Sequence, residues 1–169
     1  MPSSISSAFS TSSSTAPSCT YTDCFKILAH STSGTGAQVD NQYFSVKTGT
    51  NAPRFGLTGY TPAIFRLYPS DNLQIVSPEL NGYYVGSTIA ANSAFYLAPL
   101  QEYIDNAYQL ASCSRDPTTY GLVCAMAQFN TVSVPKTVTS QYSYNLYWGL
   151  YSDSYAPVTL TYEPVDCPC

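Results

Sequence analysis

One pattern of short apolar segments recurs along this chain, and it constrains the fold more than any other feature. The segment NQYF at 41–44 has a counterpart forty residues later, NGYY at 81–84. Further counterparts are RFGL at 54–57 with AFYL at 94–97, and IFRL at 64–67 with AYQL at 107–110 and, more loosely, PVTL at 157–160. A repeat of this size is typical of a fold that is assembled from similar supersecondary units.

The chain is predicted to consist of short strands separated by turns. From position 19 onward, short runs rich in Val, Ile, Thr, Tyr and Phe alternate with clusters of Gly, Pro, Asn, Asp and Ser, as β-strands alternate with turns. We predict twelve strands, at 25–29, 43–47, 54–58, 63–68, 73–76, 83–87, 94–98, 107–112, 122–127, 131–135, 144–148 and 158–162. Only 99–107 is compatible with a helix, so we expect under about 10% helix.

Twelve strands in three sets of four predict an all-β fold, a β-trefoil with three pseudo-repeats. The equivalent first strands would begin at Phe25, Leu73 and Leu122, which are 48 and 49 residues apart. A four-stranded unit has one apolar face and no core of its own, so three units close a barrel and remove most exposed strand edges. A Greek-key β-sandwich is the alternative, because it also has short strands at this spacing.

The composition changes after position 18. Residues 1–18 are mostly Ser, Thr, Ala and Pro, and such a segment buries too little apolar surface to offset its ordering entropy. We predict a disordered Ser/Thr-rich linker or O-glycosylated stalk over 1–18 and a single all-β domain over 19–169.

The six cysteines predict disulfide bonds and a secreted protein. They are Cys19, Cys24, Cys113, Cys124, Cys167 and Cys169. A zinc site is disfavoured, because the chain has no C-x2-C pair and its one histidine is His30. Sequence alone allows many pairings. Cys113 and Cys124 flank a predicted turn that contains Asp116-Pro117 and Gly121, so we predict that they pair with each other. A trefoil brings its chain ends together, so we predict that Cys19 and Cys24 pair across to Cys167 and Cys169.

Charge and titratable residues exclude several function classes. Charged residues make up 9% of the chain, with 10 acidic residues against 6 basic ones, which argues against a nucleic-acid partner. No apolar run approaches the roughly 18 residues of a membrane span. Most acids lie in predicted turns, where Asp hydrogen-bonds its own backbone, and His30 alone offers no base for a nucleophile. We therefore expect no enzymatic activity, no metal and no cofactor.

Aromatic residues carry the strongest indication of binding. The chain has 16 tyrosines, 7 phenylalanines and one tryptophan, and Tyr and Trp stack on sugar rings while offering a polar hydrogen-bonding group. The predicted ligand-binding residues are Tyr144, Tyr147, Trp148, Tyr151 and Tyr155, with Tyr83 and Tyr84 as a second patch. The alternative is that tyrosine, with its high β-propensity, fills a half-buried sheet surface.

Four short motifs carry a family resemblance. They are FKI at 25–27, NQY at 41–43, FRL at 65–67 and DNLQI at 71–75. In this order they resemble a class of fungal extracellular domains that follow Ser/Thr-rich stalks in secreted or cell-wall proteins. The resemblance spans 19–169 and implies an extracellular, wall-associated location.

Together these features predict a non-catalytic extracellular module that binds cell-wall glycan. A β-trefoil protease inhibitor is an alternative from another class, and the segment 114–120 between two cysteines would be its inhibitory loop. A structural cell-wall or adhesion domain is a further alternative. The sequence leaves the oligomeric state open.

Overall fold

The computed structural model describes residues 21–31, 36–88, 93–149 and 152–168. The predicted linker at 1–18 lies outside these ranges. The strands are β1 (Cys24–Ser31), β2 (Gln42–Val46), β3 (Arg54–Phe55), β4 (Thr61–Pro62), β5 (Phe65–Leu67), β6 (Leu73–Ile75), β7 (Tyr83–Ser87), β8 (Tyr96–Pro99), β9 (Gln109–Leu110), β10 (Ser112–Arg115), β11 (Gly121–Ala125), β12 (Val132–Pro135), β13 (Tyr147–Trp148) and β14 (Tyr155–Val165). Helix α1 is Leu100–Asp105, and 3-10 turns lie at Ala37–Val39, Pro78–Leu80 and Gln141–Tyr144.

The all-β prediction is confirmed, and each of the twelve predicted strands overlaps an observed one. The predicted strand at 107–112 is interrupted at Ala111, because the chain changes partners there. The Ala111 amide donates to the Val85 carbonyl of β7 at 2.9 Å, while its own carbonyl accepts from the Leu73 amide of β6 at 3.3 Å. No helix in the described ranges is long and apolar enough to cross a membrane.

Six strands are connected edge to edge into a closed ring. β1 pairs with β14 along eight residues and with β5 at Phe25 opposite Phe65. β5 pairs with β6, and β6 reaches β10 through a bridge between Asn72 and Ser112. The pairs β10–β11 and β11–β14 complete the ring. All of these pairings are antiparallel, so every strand of the ring has a neighbour on both sides.

The strands fall into three consecutive sets, β1–β5, β6–β10 and β11–β14, here called the thirds of the domain. In each third a hairpin follows the first strand. These hairpins are β2 with β3, β7 with β8, and β12 with β13. Their aromatic side chains enter the core, where Phe44 of β2 lies 4.8 Å from Phe65 and 5.1 Å from Phe55 between ring centroids. Each such fully buried side chain contributes about 1.5–3 kcal/mol. The hairpins and the ring therefore share one core.

A left-handed residue marks the same point in each third. Asp23, Asp71 and Tyr120 have φ angles of 65°, 66° and 57°. Asp23 and Tyr120 immediately precede β1 and β11, and Asp71 lies two residues before β6. This conformation is uncommon outside glycine. Its recurrence at spacings of 48 and 49 residues places a left-handed residue just before β1, β6 and β11.

The second repeat is shifted by one residue from the predicted alignment. The 3-10 turns at Ala37–Val39 and Pro78–Leu80 and the strands that follow them are 41 residues apart, whereas the sequence pairs Asn41 with Asn81. In the structure Asn41 corresponds to Gly82, with φ angles of 56° and 84°. The turn requires a left-handed residue, which Asn and Gly adopt most readily.

Two disulfide bonds lie among the described residues. Cys113 pairs with Cys124 across β10 and β11, as predicted, with 4.0 Å between their Cα atoms. Cys24 pairs with Cys167 at 5.2 Å and joins the two ends of the domain, which is one of the predicted cross-pairings. Cys19 and Cys169 lie outside the described residues.

Candidate functional site

Strand β12 brings two of the predicted aromatic residues together. Tyr147 lies opposite Ser133 on one side of β12, and Tyr155 lies opposite Pro135 on the other. Ser133 and Pro135 are two residues apart and face the same way, so both tyrosines lie on one face of the sheet. Their ring centroids are 5.2 Å apart and their planes are nearly perpendicular, at 80°. Such an edge-to-face pair is a preferred aromatic geometry.

These two rings form one side of a small hollow of about 250 Å³, here called the tyrosine hollow. Its lining residues are Pro135, Thr137, Thr139, Ser140, Tyr142, Ser143, Tyr147, Ser154 and Tyr155. All nine are uncharged, and eight carry a hydroxyl group. The volume is just below the roughly 300 Å³ of the smallest ordinary ligand pockets. The hollow therefore suits one ring-sized, hydroxyl-bearing group at a time.

Tyr142 belongs to this site although it is not among the predicted binding residues. It lies on the 3-10 turn Gln141–Tyr144, which the Ser140 side chain caps by accepting from the Tyr142 amide at 3.2 Å. The turn leaves the Tyr142 ring 57% exposed at the rim. The sequence signal was its place at the start of the densest tyrosine run. The strand predicted from position 144 gave no reason to include it.

Gln38 forms hydrogen bonds with two segments that line the hollow, the end of β12 and the 3-10 turn Gln141–Tyr144. Its side-chain amide donates to the Pro135 carbonyl at 2.7 Å and to the Ser143 carbonyl at 3.0 Å. Gln38 lies on the turn before β2, whereas all residues that line the hollow lie between positions 135 and 155. Residues distant in sequence therefore stabilise the hollow. Two satisfied carbonyls reduce the freedom of both segments, and the hollow is thus largely preformed.

A buried arginine lies beneath Tyr142. Arg54 is 6% exposed, and its guanidinium carbon is 5.6 Å from the centre of the Tyr142 ring. Its side chain donates to the Pro53 carbonyl at 3.0 Å and to the Asn145 side-chain oxygen. A cation within about 6 Å of an aromatic ring is attracted to the face of the ring. This contact helps to hold Tyr142 at the rim.

The other predicted binding residues are not at this site. Trp148 is fully buried, because alternation along β13 turns it to the core when Tyr147 faces outward. Tyr84 is 4% exposed, and Tyr83 packs against the core cluster. Tyr144 is half-buried and does not line the hollow. Trp148 and Tyr84 therefore cannot stack on a ligand from solvent, and Tyr151 lies outside the described residues.

A second hollow, of about 450 Å³, lies beside Asp23, Asp71 and Arg115. The Arg115 guanidinium forms an ion pair with Asp23, with one donor–acceptor distance of 2.8 Å, and lies over the Phe25 ring at 5.0 Å. The hydrogen bond from Arg115 lowers the pKa of Asp23, against the smaller effect of burial. A carboxylate held ionised in this way is unsuited to act as a general acid.

The loop between β10 and β11 is held by its own side chains. The Asp116 carboxylate accepts from the Thr118 amide at 2.8 Å and from the Thr119 hydroxyl at 2.7 Å. These hydrogen bonds lower the pKa of Asp116. Residues 116–120 are all exposed, and the Cys113–Cys124 disulfide closes the base of the loop. The loop is thus both presented to solvent and conformationally restricted.

The His30 imidazole Nε2 lies 2.7 Å from the Thr161 hydroxyl oxygen on the outer face of the β1–β14 pair. In the part of the chain that the structure describes, no group of three or more His, Cys, Asp and Glu side chains is placed to hold a metal ion.

Comparisons with models of protein families, with curated proteins and with solved structures found no match to this chain.

Proposed function

We propose that this protein is a non-catalytic extracellular module that binds glycan at the tyrosine hollow. The observation that carries the proposal is the edge-to-face pair of Tyr147 and Tyr155 beside a wall of serine and threonine hydroxyls. Sugars have apolar ring faces and hydroxyl rims. The tyrosine rings can stack on the faces, and the hydroxyl groups of Thr137, Thr139 and Ser154 can bond the rims. The hydroxyl groups of Ser140 and Ser143 already cap the turn. The absence of charge among the lining residues suits a neutral sugar.

We also propose a β-trefoil architecture for the domain, of the kind found after Ser/Thr-rich stalks in fungal cell-wall or secreted proteins. The closed ring of six strands and the three hairpins support it, as do the three left-handed turns at Asp23, Asp71 and Tyr120. The two disulfide bonds support a secreted location. The Asp23 carboxylate is engaged by Arg115 and the Asp116 carboxylate by its own turn, so neither is suited to act as a general acid.

One hollow of this size gives weak binding. A single stacked ring contributes about 0.5–1.5 kcal/mol beyond its buried area. Stable attachment to a polymer would then come from several copies of the module, or from neighbouring modules, acting together. Repeating wall polysaccharides present many equivalent sugars and match this mode of binding.

The test is a glycan-array screen followed by titration of the best neutral oligosaccharide. We expect Tyr155→Ala and Tyr142→Ala to lower the affinity about 3- to 10-fold. Tyr120→Ala is the matched control, because Tyr120 is 52% exposed and outside the hollow, and it should bind as wild type does. Binding that is unchanged in both hollow variants, or a wild-type protein that binds no glycan, would refute the proposal.

The restrained loop at 116–120 favours a protease inhibitor as the second candidate. Inhibitory loops are held rigid before they bind, and the Asp116 bonds and the Cys113–Cys124 disulfide provide this rigidity. Inhibition of secreted serine and cysteine proteases by the wild-type protein, lost in Asp116→Ala, would favour this candidate over glycan binding.

A further inference from the structure

Three side chains form a hydrogen-bonded row across β5, β6 and β7, away from the tyrosine hollow. Arg66 lies directly opposite Gln74, and Gln74 lies directly opposite Tyr84. The Arg66 Nε donates to the Gln74 side-chain oxygen at 2.7 Å, and the Gln74 side-chain nitrogen donates to the Tyr84 hydroxyl at 2.9 Å. Gln74 and Tyr84 are buried, whereas Arg66 is half-buried. The row holds one edge of the guanidinium from the protein side.

Two tyrosine rings lie against the same guanidinium group. Its central carbon is 4.4 Å from the centre of the Tyr21 ring and 4.1 Å from the centre of the Tyr68 ring. The Tyr21 hydroxyl donates to the Asn81 side chain at 3.4 Å, and Tyr68 is 51% exposed. We call Tyr21, Arg66 and Tyr68 the guanidinium clamp. Stacking of this kind orients an arginine and removes much of its freedom before any ligand arrives.

Among the described residues, none accepts a hydrogen bond from the terminal amines of Arg66. The one ion pair among the described residues joins Arg115 to Asp23, and the one hydrogen bond of the Arg66 side chain uses Nε. Arginine carries five N–H donors in a planar fork that matches an oxyanion with two oxygens. An oriented, partly exposed fork with its outer donors unused has the properties of an anion site.

We propose that the guanidinium clamp binds one oxyanion, a carboxylate or a sulfate, of an acidic glycan. The choice of a glycan rests on the proposed function, whereas the anion site rests on Arg66 itself. The chain carries a net charge of −4, which repels densely charged polyanions over long range. The clamp therefore favours a sugar with an isolated acidic group over a highly charged polymer. It would be a second subsite, separate from the tyrosine hollow.

The test compares pairs of ligands in which one member carries an acidic group and the other has that group esterified or removed. An oligosaccharide with a single galacturonate residue is compared with its methyl ester, and a monosulfated galactose oligosaccharide with its desulfated form, by calorimetry at physiological salt. Hydrogen bonds to an ionised acceptor are about twice as strong as neutral ones, so we expect at least one acidic ligand to bind about tenfold more tightly than its neutral partner. Its titration should also shift the NMR resonance of the Arg66 Nε–H group.

Variants assign that preference to the clamp. Arg66→Gln should abolish the preference for the acidic ligand, and Arg66→Lys should restore only part of it, because lysine lacks the fork. Lys47→Gln removes the same charge from an exposed position elsewhere and should leave the preference intact. Tyr84→Phe, which removes the acceptor of Gln74, should shift the Arg66 resonance and weaken acidic binding about threefold as a positioning effect.

Two results would overturn the proposal: equal binding of acidic and neutral partners to the wild type, or an acidic preference that survives in Arg66→Gln. The Tyr155→Ala variant distinguishes a failure of the guanidinium clamp from a failure of the tyrosine hollow. Neutral binding that depends on Tyr155 without any acidic preference refutes the clamp alone. Acidic binding that depends on Arg66, together with no neutral-glycan binding that depends on Tyr142 or Tyr155, refutes the hollow alone.

Discussion

The indole of Trp148 lies flat against the ring of Phe95, with 4.2 Å between ring centroids and 16° between planes. The Trp148 ring nitrogen donates to the Gly86 carbonyl at 3.3 Å. Backbone hydrogen bonds accompany the stack, from the Phe95 amide to the Leu146 carbonyl at 3.0 Å and from the Trp148 amide to the Ser93 carbonyl at 3.1 Å. The single tryptophan thus joins the second and third hairpins inside the core.

Removing this side chain should destabilise the fold strongly. We expect Trp148→Ala to lower the free energy of unfolding by about 3–5 kcal/mol, since the cavity cannot fully collapse. Tyr142→Ala, at an exposed position, should cost less than about 1 kcal/mol. Urea denaturation followed by circular dichroism measures both. A Trp148→Ala variant as stable as Tyr142→Ala would contradict the buried placement.

The two disulfides should contribute unequally to stability. Cys24 and Cys167 are 143 residues apart in sequence, and Cys113 and Cys124 are 11 apart. By the chain-entropy model, removing the longer loop closure costs about 5 kcal/mol and removing the shorter about 3 kcal/mol. Thermal unfolding of the two double serine variants, both made in a protein in which Cys19 and Cys169 are also serine, tests this order without a second bridge between the chain ends. Peptide mapping without reduction should recover Cys113 linked to Cys124, and a link from either to a terminal cysteine would contradict the structure.

Stability should fall in acid through Asp23. Its pKa is lowered in the folded state by the hydrogen bond from Arg115, so the stabilisation is present above the ordinary carboxyl pKa of about 3.9. It is lost as the pH falls below that value toward the folded-state pKa. The stability difference between wild type and Asp23→Asn should therefore shrink below about pH 4. Asp153→Asn, in an exposed loop, is the control. A wild-type advantage over Asp23→Asn that persists undiminished at pH 2 would contradict the role of the ion pair.

Gly86 should not tolerate a side chain. A Cβ atom there would lie 2.1 Å from the Gln109 carbonyl oxygen and 2.5 Å from a ring carbon of Tyr103. We expect Gly86→Ala to destabilise the protein by about 1–3 kcal/mol, because the backbone contact has no room to give. At Gly49 nothing lies within 4 Å of the same atom. Gly49→Asn, which tolerates the left-handed backbone there, should cost less than about 1 kcal/mol. Chemical denaturation of both variants distinguishes them, and equal stability would count against this packing.

Local sequence patterns were sufficient to locate twelve segments that overlap observed strands, but they missed β4 at Thr61–Pro62 and merged β9 with β10. Alternation and turn residues act over a few positions, so the strands at Tyr83–Ser87 and Val132–Pro135 could be identified before their partners were known. The equivalence of Asp23, Asp71 and Tyr120 could not, because two aspartates and a tyrosine share no chemistry that predicts a left-handed turn. Only the backbone angles reveal it.

The sequence alone determined that this chain is all-β and that similar segments repeat along it, and it placed Cys113 and Cys124 on either side of one turn without settling their pairing. The tertiary structure decided which aromatic residues face solvent. Tyr147 and Trp148 are adjacent in sequence, but the sheet sends one to a hollow beside Tyr155 and the other to the core beside Phe95. Such an assignment depends on which strands become neighbours. Strand pairing brings together residues far apart in the chain, and no local pattern encodes it.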